Sequence, residues 1–583
     1  MVRVGQAGGL LIAAAAFVLV AVVLTWPIAA TLDRPSSVGP DYFSNLWNAW
    51  WMRTALFERH VSPYWTDTLH TPLGISLGRH TLSPVNAVAT GLLSYGFGLH
   101  AAYNLMVIGH FALGGWAAFL LARYLTASVP GSVLAGLIYS FCPIHYFYIG
   151  QINAFSIGIL PLAILSLLKV YREGGAGNVA LAAVAAGVLT AASYYYAALA
   201  ALFGALLAVG GRLFDPRVPI AVGLQRLFLA GACAAVAAGA VAWPLLAETL
   251  AIDARFVASG SVGRRANDLL GYVWVDPPVR VVVSWPTMLG YSSLLLVGLG
   301  GREVLRQRFW LFVGGVFLLL SLGGTLSIHD EDTGIPLPFR VFEALPVLSM
   351  LRKADRLMVV IQLVVGLLAA FAWRRLAGRI HPRALRGAAW TLCAVLLAVE
   401  LTGVPFQRFE YPVSPYFEGV ASAEDIAALI HIPPNPSTAL EGRYDYAQTI
   451  HRKRMPQGYT TNLALTEPHV EQARGWMEAF RALLKGDGAD LVRRMRSEAV
   501  EIAVVHKTAP GSRPPMFQRE TVVWAPFFRV RRELIAPRQM GPLIDRAQPT
   551  EQIENQRRAL TKELGPPVFE DDLILVFQLE PGE

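Results

Sequence analysis

The stretch SVGPDYFSNLWNAWWMR, residues 37–53, places a carboxylate and a cluster of aromatic rings directly after the first long apolar run of the chain. No charged residue lies between Arg3 and Asp33, so that run is long enough to cross a bilayer. Asp41 therefore falls just beyond the hydrocarbon boundary. Apolar residues then recur at helical spacing, which predicts an amphipathic helix lying in the membrane interface: Phe43, Leu46, Trp47, Trp50, Trp51 and Phe57. The stretch indicates a reaction site at the membrane surface.

The composition is typical of a polytopic membrane protein. Hydrophobic residues make up 54% of the 583 positions, charged residues only 15%, and the mean hydropathy is +0.45. The net charge of +8 comes from Lys and Arg that fall between apolar runs, as topogenic signals do, so nucleic-acid binding is excluded. Cys142, Cys233 and Cys393 lie inside apolar stretches and indicate neither a disulfide nor redox chemistry.

About eleven membrane spans satisfy the positive-inside rule if the odd-numbered spans leave the cytoplasm. The apolar segment 84–98 is then expected to dip into the membrane without crossing it, because a crossing would reverse every later loop. The predicted spans are the first apolar run and residues 101–122, 131–148, 153–169, 179–193, 196–211, 226–247, 286–301, 309–327, 356–373 and 387–404.

This orientation places the first outer loop, residues 32–83, and the C-terminal region on the outer face. Near residue 409 the composition changes, which predicts a membrane domain over 1–408 and a soluble extracytoplasmic domain over 409–583. EIAVV at 501–505 and LILVFQL at 573–579 predict strands. One apolar stripe predicts a helix: Val470, Ala473, Met477, Phe480 and Leu484. The expected fold class is mainly α, a polytopic helical membrane protein with a small C-terminal α/β domain.

Asp41 is the first candidate for chemistry. A carboxylate beside the bilayer can accept a proton from an incoming hydroxyl or bind a metal ion. Asp is also a favoured residue at the N-cap of a helix, and Asp41 stands where the interfacial helix begins. Catalysis and capping both remain open at this point.

A basic cluster in LPVLSMLRKADR is the second candidate. Arg352, Lys353 and Arg356 precede a predicted span on its outer side, against the positive-inside bias. At the membrane surface they can hold a phosphate, for which a lipid phosphate is the natural source. The alternative is that Asp355 pairs with one of them while the others meet lipid headgroups.

Polar side chains on the predicted outer loops form the third candidate. Their spacing matches no compact metal motif, so a divalent metal is possible but not indicated. A histidine in such a position more often has a structural hydrogen-bonding role than a catalytic one. The group comprises His70, His80, His145, Gln151 and Asn153, with Asp67 and Asp268 on neighbouring loops.

Charged residues deep within the predicted spans are nearly absent, which counts against an ion transporter or proton pump. Two other classes of function remain open beside an enzyme. One is a transporter or flippase of a lipid-linked or amphipathic substrate, which would also use basic residues at the lipid surface. The other is a membrane assembly factor whose C-terminal domain binds a partner.

In order along the chain, several loose motifs resemble the GT-C superfamily of integral-membrane glycosyltransferases, in particular its large, poorly characterised bacterial and archaeal members. The motifs are GPD-x(3)-N-x-W (39–47), HTLSPVNAV (80–88), AAYNLMV (101–107), CPIHYFYIGQIN (142–153), LPVLSMLRKADR (345–356) and ELGPPVFEDDLILVFQL (563–579). In this family an Asp of the first outer loop is the usual catalytic residue, and Asp41 occupies that position. Many members carry a second acid close by, where this chain has Tyr42 and Phe43, so a metal requirement does not carry over.

The resemblance implies transfer of a hexosyl or pentosyl group from a polyprenyl-phosphate donor, with inversion and with Asp41 as base. The acceptor would be a glycan, lipid or protein on the outer face of the cell membrane, and membrane lipids would surround the donor. Arg352, Lys353 and Arg356 would bind the donor phosphate. The remaining polar candidates would bind substrate: Asn45, His80, His145, Gln151, Asn153 and Asp268.

Overall fold

The computed structural model describes most of the 583 residues. The described part of the chain leaves out residues 1, 38, 252–266, 274–286, 329–330, 342–352, 402–405, 407, 435–437, 460–465, 511–521, 526–527, 532–544, 548–549 and 581–583.

Helices account for most of the N-terminal two thirds of the chain. In chain order they are α1 (Val2–Leu24), α2 (Pro40–Arg53), α3 (Pro84–Phe97), α4 (Leu99–Thr126), α5 (Val129–Ser140), α6 (Pro143–Phe147), α7 (Ile152–Phe155), α8 (Leu160–Glu173), α9 (Ala176–Ala192), α10 (Tyr194–Phe214), α11 (Ile220–Ala251), α12 (Tyr291–Gly300), α13 (Arg302–Leu305), α14 (Arg308–Ser321), α15 (Met358–Ala377) and α16 (Arg383–Leu401). Two short antiparallel hairpins interrupt them: β1 (Trp65–Thr66) with β2 (Ile75–Ser76), and β3 (Thr325–Ile328) with β4 (Glu331–Pro336).

Six helical segments in the described residues are long and apolar enough to cross a membrane: Leu99–Thr126, Ile152–Glu173, Tyr194–Phe214, Ile220–Leu250, Ala354–Ala377 and Arg383–Leu401. Four shorter apolar helices accompany them: Gly8–Leu24, Ala176–Ala192, Tyr291–Gly300 and Arg308–Ser321. Together these overlap ten of the eleven predicted spans, and the total of eleven stays a prediction.

Two predicted spans differ from the observed helices. The expected span 131–148 is α5, whose 12 residues rise only about 18 Å, because the chain turns before Pro143 opens α6. The expected span 309–327 ends as a helix at Ser321, and β3 follows. Segment 84–98 forms the 14-residue helix α3, which packs against α2 and α4. Whether α3 dips into the membrane stays a prediction.

The helical core is centred on α15. Its residues from Met358 to Trp373 are all buried, and it packs against α5, α12 and α14. A helix that is apolar on every side and enclosed by other helices sits inside a bundle. Its N-terminal end, preceded by a 3-10 turn over Ala354–Leu357, is therefore held in a fixed place. Arg356 lies in that turn.

The C-terminal region is an α/β unit. Its helices are α17 (Tyr416–Ala421), α18 (Thr438–His451), α19 (Glu467–Leu484), α20 (Ala489–Ser497) and α21 (Thr550–Leu564). Its strands are β5 (Leu429–Ile432), β6 (Ile502–His506), β7 (Thr508–Pro510), β8 (Val522–Ala525), β9 (Phe528–Arg531), β10 (Asp545–Ala547), β11 (Phe569–Glu570) and β12 (Ile574–Gln578). Four of them form one sheet in the order β11-β12-β6-β5, with β5 and β6 parallel and the other neighbours antiparallel. The predicted strands at 501–505 and 573–579 are confirmed.

Successive side chains of a strand point to opposite faces of the sheet. Because successive residues of these strands are apolar, both faces of the sheet are buried. On one face Ala503, Val505 and Phe577 pack with α19, α20 and α21. On the other face Ile502 and Val504 belong to an apolar cluster that also holds the tryptophans of α2. Residues 32–83, the predicted first outer loop, and the C-terminal sheet therefore share one hydrophobic core.

Helix α2 differs from the expected lipid-facing helix. Trp47 and Trp51 are fully buried, and the indole N–H of Trp47 donates to Gln448 of α18 at 2.7 Å. Helix α18 packs directly on α2, so protein covers the face that the sequence assigned to the membrane interface. Truncation of a large buried ring costs about 3–5 kcal/mol, so this contact holds the C-terminal region firmly on the outer loop.

Two buried histidines, His431 and His451, and the half-buried His506 lie where β5, β6 and α18 meet. Nδ1 of His431 and Nε2 of His506 are 2.8 Å apart, and the rings of His431 and His451 lie 5.6 Å apart. Burial removes water from the charged forms, which lowers the pKa of His451 and of His506 to about 3 and that of His431 well below 6.5. The folded protein therefore holds them neutral.

We expect acid to destabilise the C-terminal α/β unit through these histidines. Their folded pKa values lie below the unfolded value of 6.5, so their contribution to stability is complete above pH 6.5 and is lost as the pH falls toward 3. The unfolding temperature, measured from pH 7.5 to 4, should fall steadily below pH 6.5. His431→Gln should flatten that fall, whereas exposed His60→Gln should not; an unchanged slope in His431→Gln would contradict this assignment.

Candidate functional site

Asp41 lies at the start of α2 but is not its N-cap. The N-cap is Gly39, and Pro40 occupies the first helical turn, where its fixed φ and missing N–H are tolerated. The half-buried Asp41 carboxylate is instead contacted by side chains from two distant segments. Oδ2 accepts a hydrogen bond from Nε2 of Gln151, and the hydroxyl of Tyr459 lies 3.5 Å from Oδ1. Each carboxylate oxygen of Asp41 is therefore contacted by a different segment of the chain.

Gln151 comes from the break between α6 and α7. The backbone there is held by two side chains from other elements: the hydroxyl of Tyr103 donates to Ile149 O at 2.8 Å, and Nδ2 of Asn45 donates to Gly150 O at 3.2 Å. Asn45 also donates to Asp41 O at 2.7 Å, one helical turn earlier in α2. The turn and the N-terminal end of α2 are thus bound together.

Arg356 reaches the same place from the 3-10 turn before α15. Its Nη2 donates to Oε1 of Gln151 at 3.3 Å. One amide therefore bonds both to the carboxylate of Asp41 and to the guanidinium of Arg356. The amide geometry suits this role, since its NH₂ group donates and its oxygen accepts.

The guanidinium of Arg356 lies between two aromatic rings. Its Cζ is 5.2 Å from the ring centroid of Tyr148 and 5.1 Å from that of Tyr195. Such rings stabilise a cation without using its N–H donors. Within the described part of the chain, the buried Nε of Arg356 has no hydrogen-bond partner. The side chain therefore keeps donor capacity for an anion.

The neighbours of Arg356 fix the turn. Lys353 O accepts the hydroxyl of Tyr195 at 2.5 Å, and Asp355 Oδ2 accepts the hydroxyl of Tyr148 at 2.5 Å. Asp355 thus bonds to Tyr148 while Arg356 bonds to Gln151. Arg352 lies outside the described residues.

The other predicted substrate residues have structural contacts of their own. His80 Nε2 lies 2.8 Å from Asn48 Oδ1, and both ring nitrogens of buried His145 face carbonyls, of Ser140 at 2.6 Å and Phe155 at 2.8 Å. Asp268 Oδ1 accepts the N–H of Leu270 at 2.8 Å at the start of a 3-10 turn. Asn153 is half-buried, two residues after Gln151. A substrate role for these four stays a prediction.

Of the predicted site residues, the structure connects four: Asp41, Asn45, Gln151 and Arg356. Within the described ranges, no three His, Cys, Asp or Glu side chains come together as metal ligands.

No protein-family model and no curated protein matches the chain. Its fold is similar to solved structures of an oligosaccharyltransferase from Archaeoglobus fulgidus. The complex of archaeal oligosaccharyltransferase AglB with an inhibitory peptide and a dolichol-phosphate is 11% identical, with a TM-score of 0.46, over 86% of this chain and 70% of that one. The apo form is 12% identical, with a TM-score of 0.43, over 85% and 69%. The form tethered to an acceptor peptide containing the NVT sequon is 10% identical, with a TM-score of 0.42, over 85% and 69%.

These neighbours are named as oligosaccharyltransferases.

Four residues at the site have no clear signal in the sequence. Tyr148 and Tyr195 sit in aromatic runs whose partners cannot be read from spacing. Tyr459 and buried Asp445 belong to the C-terminal region, far from Asp41 along the chain. The signal that was available is Gly458 before Tyr459, because a glycine in a polar segment predicts a close backbone approach.

Proposed function

We propose that the chain is a membrane glycosyltransferase that moves a sugar from a polyprenyl-phosphate donor to an acceptor hydroxyl on the outer face of the cell membrane. The observation that carries the proposal is the single amide of Gln151, which bonds both to the carboxylate of Asp41 and to the guanidinium of Arg356. The proton acceptor, Asp41, and the anion-binding group, Arg356, are thereby separated by the single side chain of Gln151. That is the pair of groups that displacement of a phosphate by an alcohol requires.

The proposed reaction is one displacement. The acceptor oxygen attacks the anomeric carbon and forms the new glycosidic bond while its proton passes to Asp41. The bond from the anomeric carbon to the phosphate oxygen breaks, and its electron pair leaves with the phosphate. Arg356 donates hydrogen bonds to that developing charge. A single in-line displacement inverts the configuration of the anomeric carbon.

The place of Arg356 along its helix suits a lipid-linked donor. Arg356 is at the start of the apolar segment Ala354–Ala377, and Arg374 and Arg375 are in its last turn. With the two arginines on the cytoplasmic side, Arg356 lies at the outer surface. The isoprenoid tail would then remain in lipid while the phosphate reaches Arg356, and Lys353 and Arg352, which precede Arg356 in the sequence, are proposed as further phosphate-binding residues.

The remaining assignments belong to the same proposal. The membrane domain comprises residues 1–408, and the extracytoplasmic domain comprises residues 409–583. Asn45 would orient the sugar or the acceptor beside Asp41. The acceptor is a glycan, a lipid or a protein that carries a free hydroxyl.

The proposal is tested with the purified protein in liposomes and a native pool of radiolabelled polyprenyl-phosphate sugars, with membrane extract as the source of acceptor. We expect labelled product and released polyprenyl phosphate. Labelled lipid that crosses the bilayer without being consumed would favour the flippase alternative and overturn the proposal.

We expect Gln151→Leu to lower turnover by about 100-fold while the protein still folds. Leu fills nearly the same volume but cannot bond to Asp41 or to Arg356, so both groups lose their defined positions. Turnover of the donor is measured beside the unfolding temperature. Gln307→Leu, the same change at a half-buried amide outside the site whose Nε2 donates to Glu303 O at 3.3 Å, is the control, and equal activity of the two variants would contradict a bridging role for Gln151.

A further inference from the structure

Tyr459 brings the C-terminal region into contact with the proposed base. Its hydroxyl lies 3.5 Å from Oδ1 of Asp41, on the oxygen that Gln151 does not contact. The distance is at the long end for a hydrogen bond, so the contact is weak and exchangeable. The two carboxylate oxygens of Asp41 thus face two different parts of the protein.

The position of Tyr459 is set by Asp445 of α18. Asp445 is fully buried, and its two carboxylate oxygens accept the backbone N–H of Tyr459 at 3.1 and 3.2 Å. Burial of a carboxylate costs free energy unless the group is hydrogen-bonded, and the N–H of Tyr459 supplies such a bond. Here it orients the backbone directly at the residue that reaches Asp41.

The segment 455–459 is also anchored to the first outer loop. The N–H of Met455 donates to Thr68 O and its carbonyl accepts the N–H of Thr71, both at 2.9 Å. Gly458 has φ +157° and lies so close to Leu69 that a Cβ would meet the leucine side chain at 2.7 Å. The outer loop therefore holds this segment beside α2.

We propose that Tyr459 is a further residue of the reaction site, that it holds Oδ1 of Asp41 on the side from which the acceptor enters, and that Asp445 is its positioning residue. This inference rests on the proposed function. A phenol O–H at Oδ1 stands where an acceptor hydroxyl must come to give up its proton. Because the contact is weak, the acceptor can displace it, and the C-terminal region then lines the acceptor side of the site.

The test compares Tyr459→Phe with Tyr446→Phe. Tyr446 comes from the same helix as Asp445, and its hydroxyl lies 2.7 Å from Nε2 of His100 rather than near Asp41, so the control removes the same group. We expect Tyr459→Phe to lower kcat/KM for the polyprenyl-phosphate sugar pool by about 10-fold.

Asp445 is tested by two variants. Asp445→Ala should reproduce the loss of kcat/KM, and Asp445→Asn should restore most of the activity, because its side-chain oxygen still accepts the N–H of Tyr459. If the wild type consumes the donor while Tyr459→Phe and Tyr446→Phe have the same kcat/KM, the inference is wrong.

A second readout does not depend on turnover. The unfolding temperatures of the wild type, Asp41→Asn, Tyr459→Phe and the double variant form a double-mutant cycle. We expect the shift of the double variant to differ from the sum of the two single shifts by about 1 °C or more. If the wild type consumes no donor, the proposed function is wrong, but the cycle still tests the contact between Tyr459 and Asp41. Additive shifts would overturn it.

Discussion

Asp41→Asn is expected to abolish sugar transfer, with a loss of at least about 1,000-fold in kcat, while the protein folds and inserts normally. An amide of the same shape still bonds to neighbouring groups but cannot take the proton of the acceptor hydroxyl at neutral pH. The measurement is release of polyprenyl phosphate by reconstituted protein, with the unfolding temperature taken on the same preparation.

The matched control for Asp41 is Asp67→Asn. Asp67 belongs to the same outer loop, but its half-exposed carboxylate forms an ion pair with Arg59 at 3.2 Å. Exposed pairs of this kind contribute little, so the control should retain full turnover. Full turnover of Asp41→Asn would remove Asp41 from the role of base, even if the protein remained a glycosyltransferase.

Arg356→Met is expected to lower kcat by about 100- to 1,000-fold and to raise KM for the polyprenyl-phosphate donor. Met keeps an unbranched side chain between Tyr148 and Tyr195 but removes the charge and all donors. Arg356→Lys keeps the charge without the planar fork and should recover only part of the activity. Initial rates across a range of donor concentrations separate the two effects.

The control for Arg356 is Arg340→Met. Arg340 is exposed and donates to the backbone oxygen of Gly324 at 3.1 Å, so it tests the loss of a basic group outside the site. Turnover of that variant should match the wild type. Equal activity of Arg356→Met and Arg340→Met would show that the donor phosphate does not bind at Arg356.

Local patterns of apolar residues predicted the positions of the strands and of the helix that contain those residues. Strands β6 and β12 are where the apolar runs placed them, and helix α19 covers the predicted stripe. The buried face of α19 is a different one, however: Gln472, Trp476, Ala479 and Leu483 are buried, whereas Val470 and Ala473 are exposed. Gln472 turns inward because its amide donates to Thr71 O at 2.6 Å, a contact with the outer loop that no periodicity can indicate.

Asp41, Gln151 and Arg356 could be named from the sequence because each has a local signal. Asp41 follows the first predicted span, Gln151 belongs to the polar group of the predicted outer loops, and Arg356 opposes the positive-inside bias. Their connection through one amide could not be predicted, since it depends on how three separate segments meet. Tyr459 had only the preceding Gly458 as a signal, because its contact with Asp41 depends on how these segments meet.

The sequence by itself therefore predicted a mainly helical chain with long apolar segments and a C-terminal α/β unit. Hydropathy and charge are properties of consecutive residues, so the sequence alone is enough to predict apolar segments and charged loops. Only the tertiary structure decided that α2 is covered by α18 rather than by lipid, and that Asp41 lies between Gln151 and Tyr459. The physical reason is that an amphipathic face must be buried, but its residues do not specify which surface buries it.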